Sequence, residues 1–255
     1  IFQNFEFDTN TVNIKYDSML HPQAVFAYRV DRKRIERTYY WANITGYKAE
    51  NYRSKRLWAT AKDGARVPIS IIYPKGYREQ KDKRLFMYAY GAYGSALSPY
   101  FSPYRLSLLD RGIAYAIAHV RGGGELGPDW HAAGARLSRK NSFEDFVAAA
   151  NHLIEEGYAE KGRIAISGLS AGSTITGYVL NEYPGMWRAA ILHSPFVDVL
   201  NTMLDPDLQL TPLEWTEWGN PIKDKKVFEY MQSYSQPLRQ HPPTKLSRGA
   251  CPQRA

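Results

Sequence analysis

The sequence predicts an α/β fold with a parallel or mixed sheet and helices on both faces. From Arg84 onward, strand-like segments alternate with helix-like segments, which is typical of parallel sheets. The segment 113–120 is almost entirely apolar, as expected for a strand buried on both faces. A chain of 255 residues with 44% hydrophobic residues can bury one large core, with part of a second.

A different pattern precedes this region. Residues 1–41 alternate polar and apolar side chains in the manner of short antiparallel strands separated by turn residues. Because three strands leave sheet edges unpaired, we expect this segment to complete a larger β structure that begins upstream. The predicted strands are 12–16, 25–30 and 37–41.

Turn and capping residues mark the ends of two predicted strands and one predicted helix. Segments 56–61 and 67–73 flank Lys62-Asp63-Gly64, which is a hairpin signal. The helix 142–156 places its apolar residues on one face and is followed by a glycine. At its start, Ser142 with Asp145 resembles a capping box.

Composition narrows the function classes. The net charge is +8, but four of the excess basic residues lie in the last twenty residues and the others are dispersed, so we predict no nucleic-acid partner. No apolar run approaches the roughly 20 residues of a membrane span, so no membrane partner is predicted. A single cysteine, Cys251, argues against disulfides and Cys-rich metal sites and favours a reducing, cytoplasmic location.

The glycine run 122–124 follows a strand, as phosphate-binding loops do. It matches neither Gly-x-Gly-x-x-Gly nor the Walker pattern, so we predict neither a nucleotide nor any other cofactor, and no metal. We interpret these glycines as allowing the backbone to pack closely beside the ends of the strands.

The residues 168–172 read Gly-Leu-Ser-Ala-Gly and join a predicted strand to a predicted helix. This strand-turn-helix context favours a nucleophile elbow over a surface turn of small residues. Two glycines permit the tight bend, and the helix directs its N-terminal amides toward the same place. The pattern predicts attack by Ser170 on a carbonyl, with an oxyanion stabilised at the helix start.

Beyond the elbow, long segments in fixed order resemble the prolyl oligopeptidase family of serine peptidases, and within it the trypsin-like oligopeptidase B branch. The resemblance covers the chain from its start to about residue 235. The segments that carry it are 88–94, 106–110, 119–127, 168–172, 195–205 and 214–221.

The resemblance implies an α/β-hydrolase domain capped by a β-propeller that admits only short peptides. Residues 1–41 would be the last propeller strands, and residues 42–235 a partial α/β-hydrolase peptidase domain, incomplete at its C-terminal end. Ser170 matches the family's nucleophile. The hydroxyl of Tyr90 and the backbone amide of Ala171 match its oxyanion hole.

The resemblance also implies the substrate class. Phe196 resembles a residue that lines the pocket for the first substrate side chain, and Glu214 matches an acidic residue that selects Lys or Arg there. Short basic peptides are therefore the expected partners. Relatives usually carry a second acid where Thr216 stands, which implies a weaker basic preference, and they often carry glycine or another small residue at Leu169 and Ser173.

No residue of this chain matches the histidine that serves as general base in the family. In α/β-hydrolases the acid and the histidine follow the serine, but only His193 and His241 follow Ser170. We interpret His193, which ends a buried-looking strand, as a core histidine or one with its hydrogen bonds satisfied, and His241 lies in the tail 236–255. The triad Asp and His are thus predicted to be absent from this chain, with little or no peptidase activity.

Two other functions remain open from the sequence. An esterase or lipase would use the same elbow, although Glu214 and the propeller-like N-terminus argue against it. A non-catalytic peptide-binding module would keep the pocket without the triad.

We predict that residues 236–255 arise from a frameshift after Ser235. Permitted codons from Ser235 onward, read one nucleotide later, can encode Ala-Ser-Pro-Tyr-Asp-Asn-Ile and then Arg-Arg-Gln-Ser-Tyr-Pro-Ala-Val-His-Val-His-Ser-Gly, which resembles the family's continuation. Sequencing the gene tests this. Actual codons that do not permit that second reading contradict the prediction.

Overall fold

The computed structural model describes residues 4–40 and 44–235. Its first unit is a three-stranded antiparallel sheet in the order β1-β2-β3. The strands are β1 (Thr11–Tyr16), β2 (Ala24–Arg29) and β3 (Arg34–Tyr40). All three predicted strands are present, although β3 begins three residues earlier than expected, and Trp41 lies outside the described residues. The assignment of this sheet to a propeller stays a prediction.

The second sheet has six strands in the order β4-β5-β7-β6-β8-β9. The first two pairings are antiparallel and the remaining three are parallel, which confirms the predicted mixed sheet. The strands are β4 (Tyr52–Thr60), β5 (Arg66–Pro74), β6 (Arg84–Tyr88), β7 (Ile113–Ala118), β8 (Ile164–Leu169) and β9 (Trp187–His193).

Helices follow β6, β7, β8 and β9, as the alternation predicts. None of the helices within residues 4–40 and 44–235 has the length and hydropathy needed to cross a bilayer. The helices are α1 (Pro103–Leu109), α2 (Pro128–Ala132), α3 (Lys140–Glu155), α4 (Ser173–Glu182), α5 (Val199–Met203), α6 (Thr211–Trp218) and α7 (Lys225–Gln232).

The main core lies between this sheet and the helices α3 and α4. The strand β7 is buried over its last five residues, as its apolar sequence predicts. Phe143 of α3 and Val179 of α4 are fully buried against this layer. The core therefore fixes β6 and β8, the two strands whose ends carry the predicted site.

The capping box predicted at the start of α3 is wrong. The helix begins at Lys140, two residues before Ser142. The Ser142 hydroxyl donates instead to the carbonyl of Arg121, 2.6 Å away, and the carboxylate of Asp145 accepts from the Arg121 guanidinium at 2.6 and 2.9 Å. Both side chains are buried, so a tertiary partner replaces the local cap. Gly157 does end the helix with a positive φ of 69°.

The glycine run after β7 is a region of close backbone contact. A Cβ atom at Gly122 would lie 2.2 Å from the carbonyl oxygen of Gly91, and one at Gly124 would lie 2.1 Å from that of Gly94. Atoms cannot approach so closely, so only glycine fits at either position. The close-packing interpretation of this run is confirmed.

We expect Gly124→Ala to lower the free energy of unfolding by about 1–3 kcal/mol, because the added methyl must displace backbone. Gly124 has no positive φ, so the effect is steric and not conformational. Gly185→Ala is the matched control, since a Cβ there meets no atom within 4 Å. Urea unfolding measures both. Equal stability of the two variants would contradict the packing argument.

Candidate active site

The predicted strand-turn-helix at Ser170 is present. β8 ends at Leu169, residues Ser170–Gly172 form a single 3₁₀ turn, and α4 begins at Ser173. Ser170 has a φ of +49°, in the left-handed region that side chains other than glycine rarely adopt, and it is exposed. The turn therefore holds this hydroxyl out of the sheet in a strained conformation.

The two glycines of the turn are required by close contacts. A Cβ at Gly168 would lie 2.6 Å from Oγ1 of Thr176, and one at Gly172 would lie 2.9 Å from the Ala89 carbonyl oxygen and 3.1 Å from Cα of Tyr90. The second contact places the end of β6 directly against the turn. It brings Tyr90 next to the segment that carries Ser170.

Of the two residues expected at an oxyanion site, Ala171 belongs to this turn and Tyr90 lies against it. Ala171 is fully buried within it, and Tyr90 is half-buried. Burial raises the pKa of the Tyr90 phenol, and the negative charge of Glu214 raises it further, whereas the positive charge of Arg139 lowers it. The phenol stays protonated and can donate a hydrogen bond near neutral pH.

Ser170, Phe196 and Glu214 line one cavity of 520 Å³. The backbone amide of Phe196 donates to the Ser170 carbonyl at 3.3 Å, which fixes the aromatic ring beside the turn. The structure therefore brings together the serine and both residues expected to bind substrate. The same cavity is also lined by Tyr93, Ser194, Pro195, Thr202, Met203, Leu208, Gln209, Leu210 and Thr211.

Glu214 is held by two donors on the cavity wall. Its Oε2 accepts from the Tyr93 hydroxyl at 2.6 Å and from Nε1 of Trp218 at 2.9 Å. Burial, together with this bond to Glu214, raises the pKa of Tyr93. The other carboxylate oxygen, Oε1, accepts no hydrogen bond from any residue in the described ranges, so it can receive a cation.

A second acid near this site escaped the sequence analysis. Glu217 is buried, and it accepts from the Tyr93 backbone amide at 2.8 Å and lies 2.7 Å from Nε2 of His131. It follows Glu214 by three residues in α6, a spacing that puts both acids on one helical face. That spacing was the available signal. Thr216, at the intermediate position, is exposed and lines a different cavity of 730 Å³.

The two histidines that follow Ser170 in the sequence do not serve it in the described structure. His193 ends β9 and is exposed, so its interpretation as a core histidine is wrong; β9 lies at the edge of the described sheet. His241 lies outside the described residues. Within residues 4–40 and 44–235, no histidine hydrogen-bonds to Ser170, and no three metal-ligating side chains form a group that could hold an ion.

Comparison with known proteins decides the family. Residues 99–250 match the model of the prolyl oligopeptidase family. This chain belongs to the prolyl oligopeptidase family. The predicted relationship to oligopeptidase B is confirmed. The match extends beyond Ser235, where the sequence analysis places the end of the family pattern.

Several relatives match most of the length of this chain. Protease 2 of Moraxella lacunata is 40% identical over 90% of the chain, and dipeptidyl aminopeptidase BI of Pseudoxanthomonas mexicana is 39% identical over 91%. Oligopeptidase B of Leishmania major superposes with a TM-score of 0.82 at 38% identity, covering 90% of this chain and 32% of that one. The chain spans about a third of the length of the curated relatives it matches, 33% and 32% in these two cases.

Because Ser170 has a positive φ, we expect glycine to be more stable than alanine at this position, the opposite of the order in a helix. At Ser170 we expect the glycine variant to be more stable than the alanine variant by about 1 kcal/mol, because a left-handed L-residue costs about 1–2 kcal/mol. At Ser173, which has a helical φ of −68°, alanine should be the more stable by about 0.5–1 kcal/mol. Thermal unfolding of the four variants compares the positions. The same order at both would contradict the strain.

Proposed function

We propose that this chain carries the acyl-transfer half of a serine oligopeptidase that cleaves short peptides after Lys or Arg. The observation that supports this most is that Ser170 and Glu214 line the same cavity, since a nucleophile and an acidic side-chain site must share one substrate. Phe196 provides an apolar wall beside them for the methylene part of a basic side chain.

Three groups act on the reacting carbonyl. The Ser170 Oγ bonds to the carbonyl carbon, while the Ala171 amide and the Tyr90 hydroxyl donate to the oxygen as it becomes negative. The peptide C–N bond then breaks, leaving an acyl group on Ser170 that water removes in a second step. A base must accept the serine proton and return it to the leaving amine.

We propose that Glu214 selects the basic side chain. A guanidinium or ammonium group that leaves water needs a negative partner, and Glu214 lines the cavity. The Tyr93 and Trp218 donors hold the other oxygen, so the carboxylate is oriented before substrate arrives. Thr216 adds no charge to this cavity, which supports a preference set by one acid.

The proposed division of the chain follows the same reasoning. We infer that the sheet within residues 1–41 is the end of a propeller, that residues 42–235 are the peptidase domain, and that residues 236–255 do not supply the Asp and His of a triad. The single cysteine of the chain supports a cytoplasmic location. On this basis the 255-residue chain binds basic peptides but turns them over slowly.

Calorimetric binding of benzoyl-arginine amide and of its norleucine analogue tests the proposal. We expect Glu214→Gln to weaken binding of the arginine ligand roughly tenfold, the cost of a hydrogen bond to a charged group, and to leave the norleucine ligand unchanged. Thr216→Val, on the other face of α6, is the control and should change neither. Unaltered arginine binding by Glu214→Gln would contradict the assignment.

Labelling and turnover separate this function from its alternatives. A fluorophosphonate probe that labels the wild-type chain and not Ser170→Ala would exclude a purely binding module, because labelling requires a reactive serine. Short acyl esters hydrolysed in preference to basic peptides by a full-length relative would favour an esterase. Cleavage of an arginyl peptide by this chain at the rate of a full-length relative would contradict the predicted loss of the triad.

A further inference from the structure

One fully buried cation lies beneath the proposed site without a carboxylate partner. Arg139 precedes α3 and is 1% exposed. No Asp or Glu within residues 4–40 and 44–235 lies within ion-pair distance of it, and the residues outside those ranges include no Asp or Glu. Its Nε–H is buried and donates to no partner in the described structure. Arginine stays protonated even when burial lowers its pKa, so a positive charge remains in the core.

The guanidinium contacts all three segments that carry the proposed site. Nη1 donates to the carbonyl of Gly91, the residue after Tyr90. Nη2 donates to Oγ1 of Thr174 at 2.8 Å, and that hydroxyl donates to the carbonyl of Ala171 at 2.8 Å. Cζ lies 4.7 Å from the ring centroid of Trp218, the donor to Glu214.

Such a charge is costly unless it is compensated. Burying an unpaired cation costs several kcal/mol even after relaxation, and a lysine- or arginine-sized group is rarely fully buried without a partner. Backbone carbonyls and an aromatic face lower this cost but leave the net charge in place. The positive charge of Arg139 therefore changes the electrostatic potential at the groups around it.

The groups that face this field are few. Around Arg139 they are Glu217, Tyr93, Tyr230 and Tyr234, of which the Tyr234 hydroxyl is buried without a partner. Around Tyr90 the charged groups are Glu214, Glu217 and Arg139, and Arg139 is the cation that opposes the two acids.

We propose that Arg139 is a positioning residue of the oxyanion site, which it serves by fixing the Tyr90-Gly91 backbone and by supplying positive potential beneath the turn at Ser170. This rests on the function proposed above. That positive potential stabilises an anion that forms at Ser170. It also offsets the negative charges of Glu214 and Glu217 in α6, which would repel the anion. The ring contact with Trp218 ties the same cation to the helix that holds Glu214.

Titration of the Tyr90 phenol tests the field without any chemistry at Ser170. In a chain labelled with 3-fluorotyrosine, the ¹⁹F resonance of Tyr90 is identified by its loss in Tyr90→Phe. We expect its pKa to rise in Arg139→Met and to stay at the wild-type value in Arg139→Lys, which keeps the charge. Arg136→Met is the control, because Arg136 is exposed and donates to the Thr216 carbonyl on the other side of α6.

Should Arg139→Met not fold, Arg139→Gln makes the same comparison, since its amide retains a donor for the Gly91 carbonyl. An unchanged Tyr90 titration in the neutral variant overturns the proposal. So does an equal shift in Arg139→Lys, which would assign the effect to geometry and not to charge.

A second measurement separates this proposal from the proposed function. A peptide aldehyde ending in arginine should bind better than the corresponding alcohol, because only the aldehyde forms an oxyanion-like adduct with Ser170. We expect Arg139→Met to reduce that preference on the order of tenfold, less than the loss of a direct donor costs. If the wild type shows no preference while the titration responds, the peptidase function fails and the field of Arg139 stands.

Discussion

The site depends on how closely the backbones after β6, β7 and β8 approach one another. Gly122 lies against Gly91, and Gly172 lies against Tyr90, at distances that leave no room for a Cβ. These contacts bring the ends of three strands into one layer above the sheet. Every group proposed to act on the carbonyl is carried by these backbone segments, so close backbone packing sets where each group starts.

The second feature is a hydrogen-bonded group of acids and aromatics on the cavity wall. Tyr93 connects the two acids of α6, since its hydroxyl donates to Glu214 and its backbone amide donates to Glu217. Tyr93 itself has a positive φ of 58°, a conformation that needs such support. Glu217 also contacts His131, so this hydrogen-bonded group extends to α2.

Negative and positive charges lie on different sides of the proposed site. Glu214 lines one side of the cavity, where a basic side chain would lie, and Glu217 is buried nearby against His131. Arg139 presents positive charge from the core toward the turn at Ser170. Attraction for a cation and stabilisation of an anion are thus separated within one site, as a reaction that handles both requires.

Local patterns predicted most strands of the sheet, the main helix and the elbow, because alternation, apolar runs and glycine punctuation act over a few residues. These local patterns gave wrong predictions where tertiary structure set the surroundings of a side chain. Ser142 has the chemistry of a helix cap, yet the buried carbonyl of Arg121 takes its hydroxyl. His193 ends an apolar strand, yet that strand lies at the edge of the described sheet and leaves the ring exposed.

The sequence by itself determined the mixed sheet, the strained turn at Ser170 and the family, since each is written in short ordered segments. Only the tertiary structure decided that Tyr93 donates to both Glu214 and Glu217, that Thr216 lines another cavity, and that Arg139 is buried without an acid. These relations join residues far apart in the chain. Which partner a polar side chain meets on burial is decided by packing, and a linear pattern does not record it.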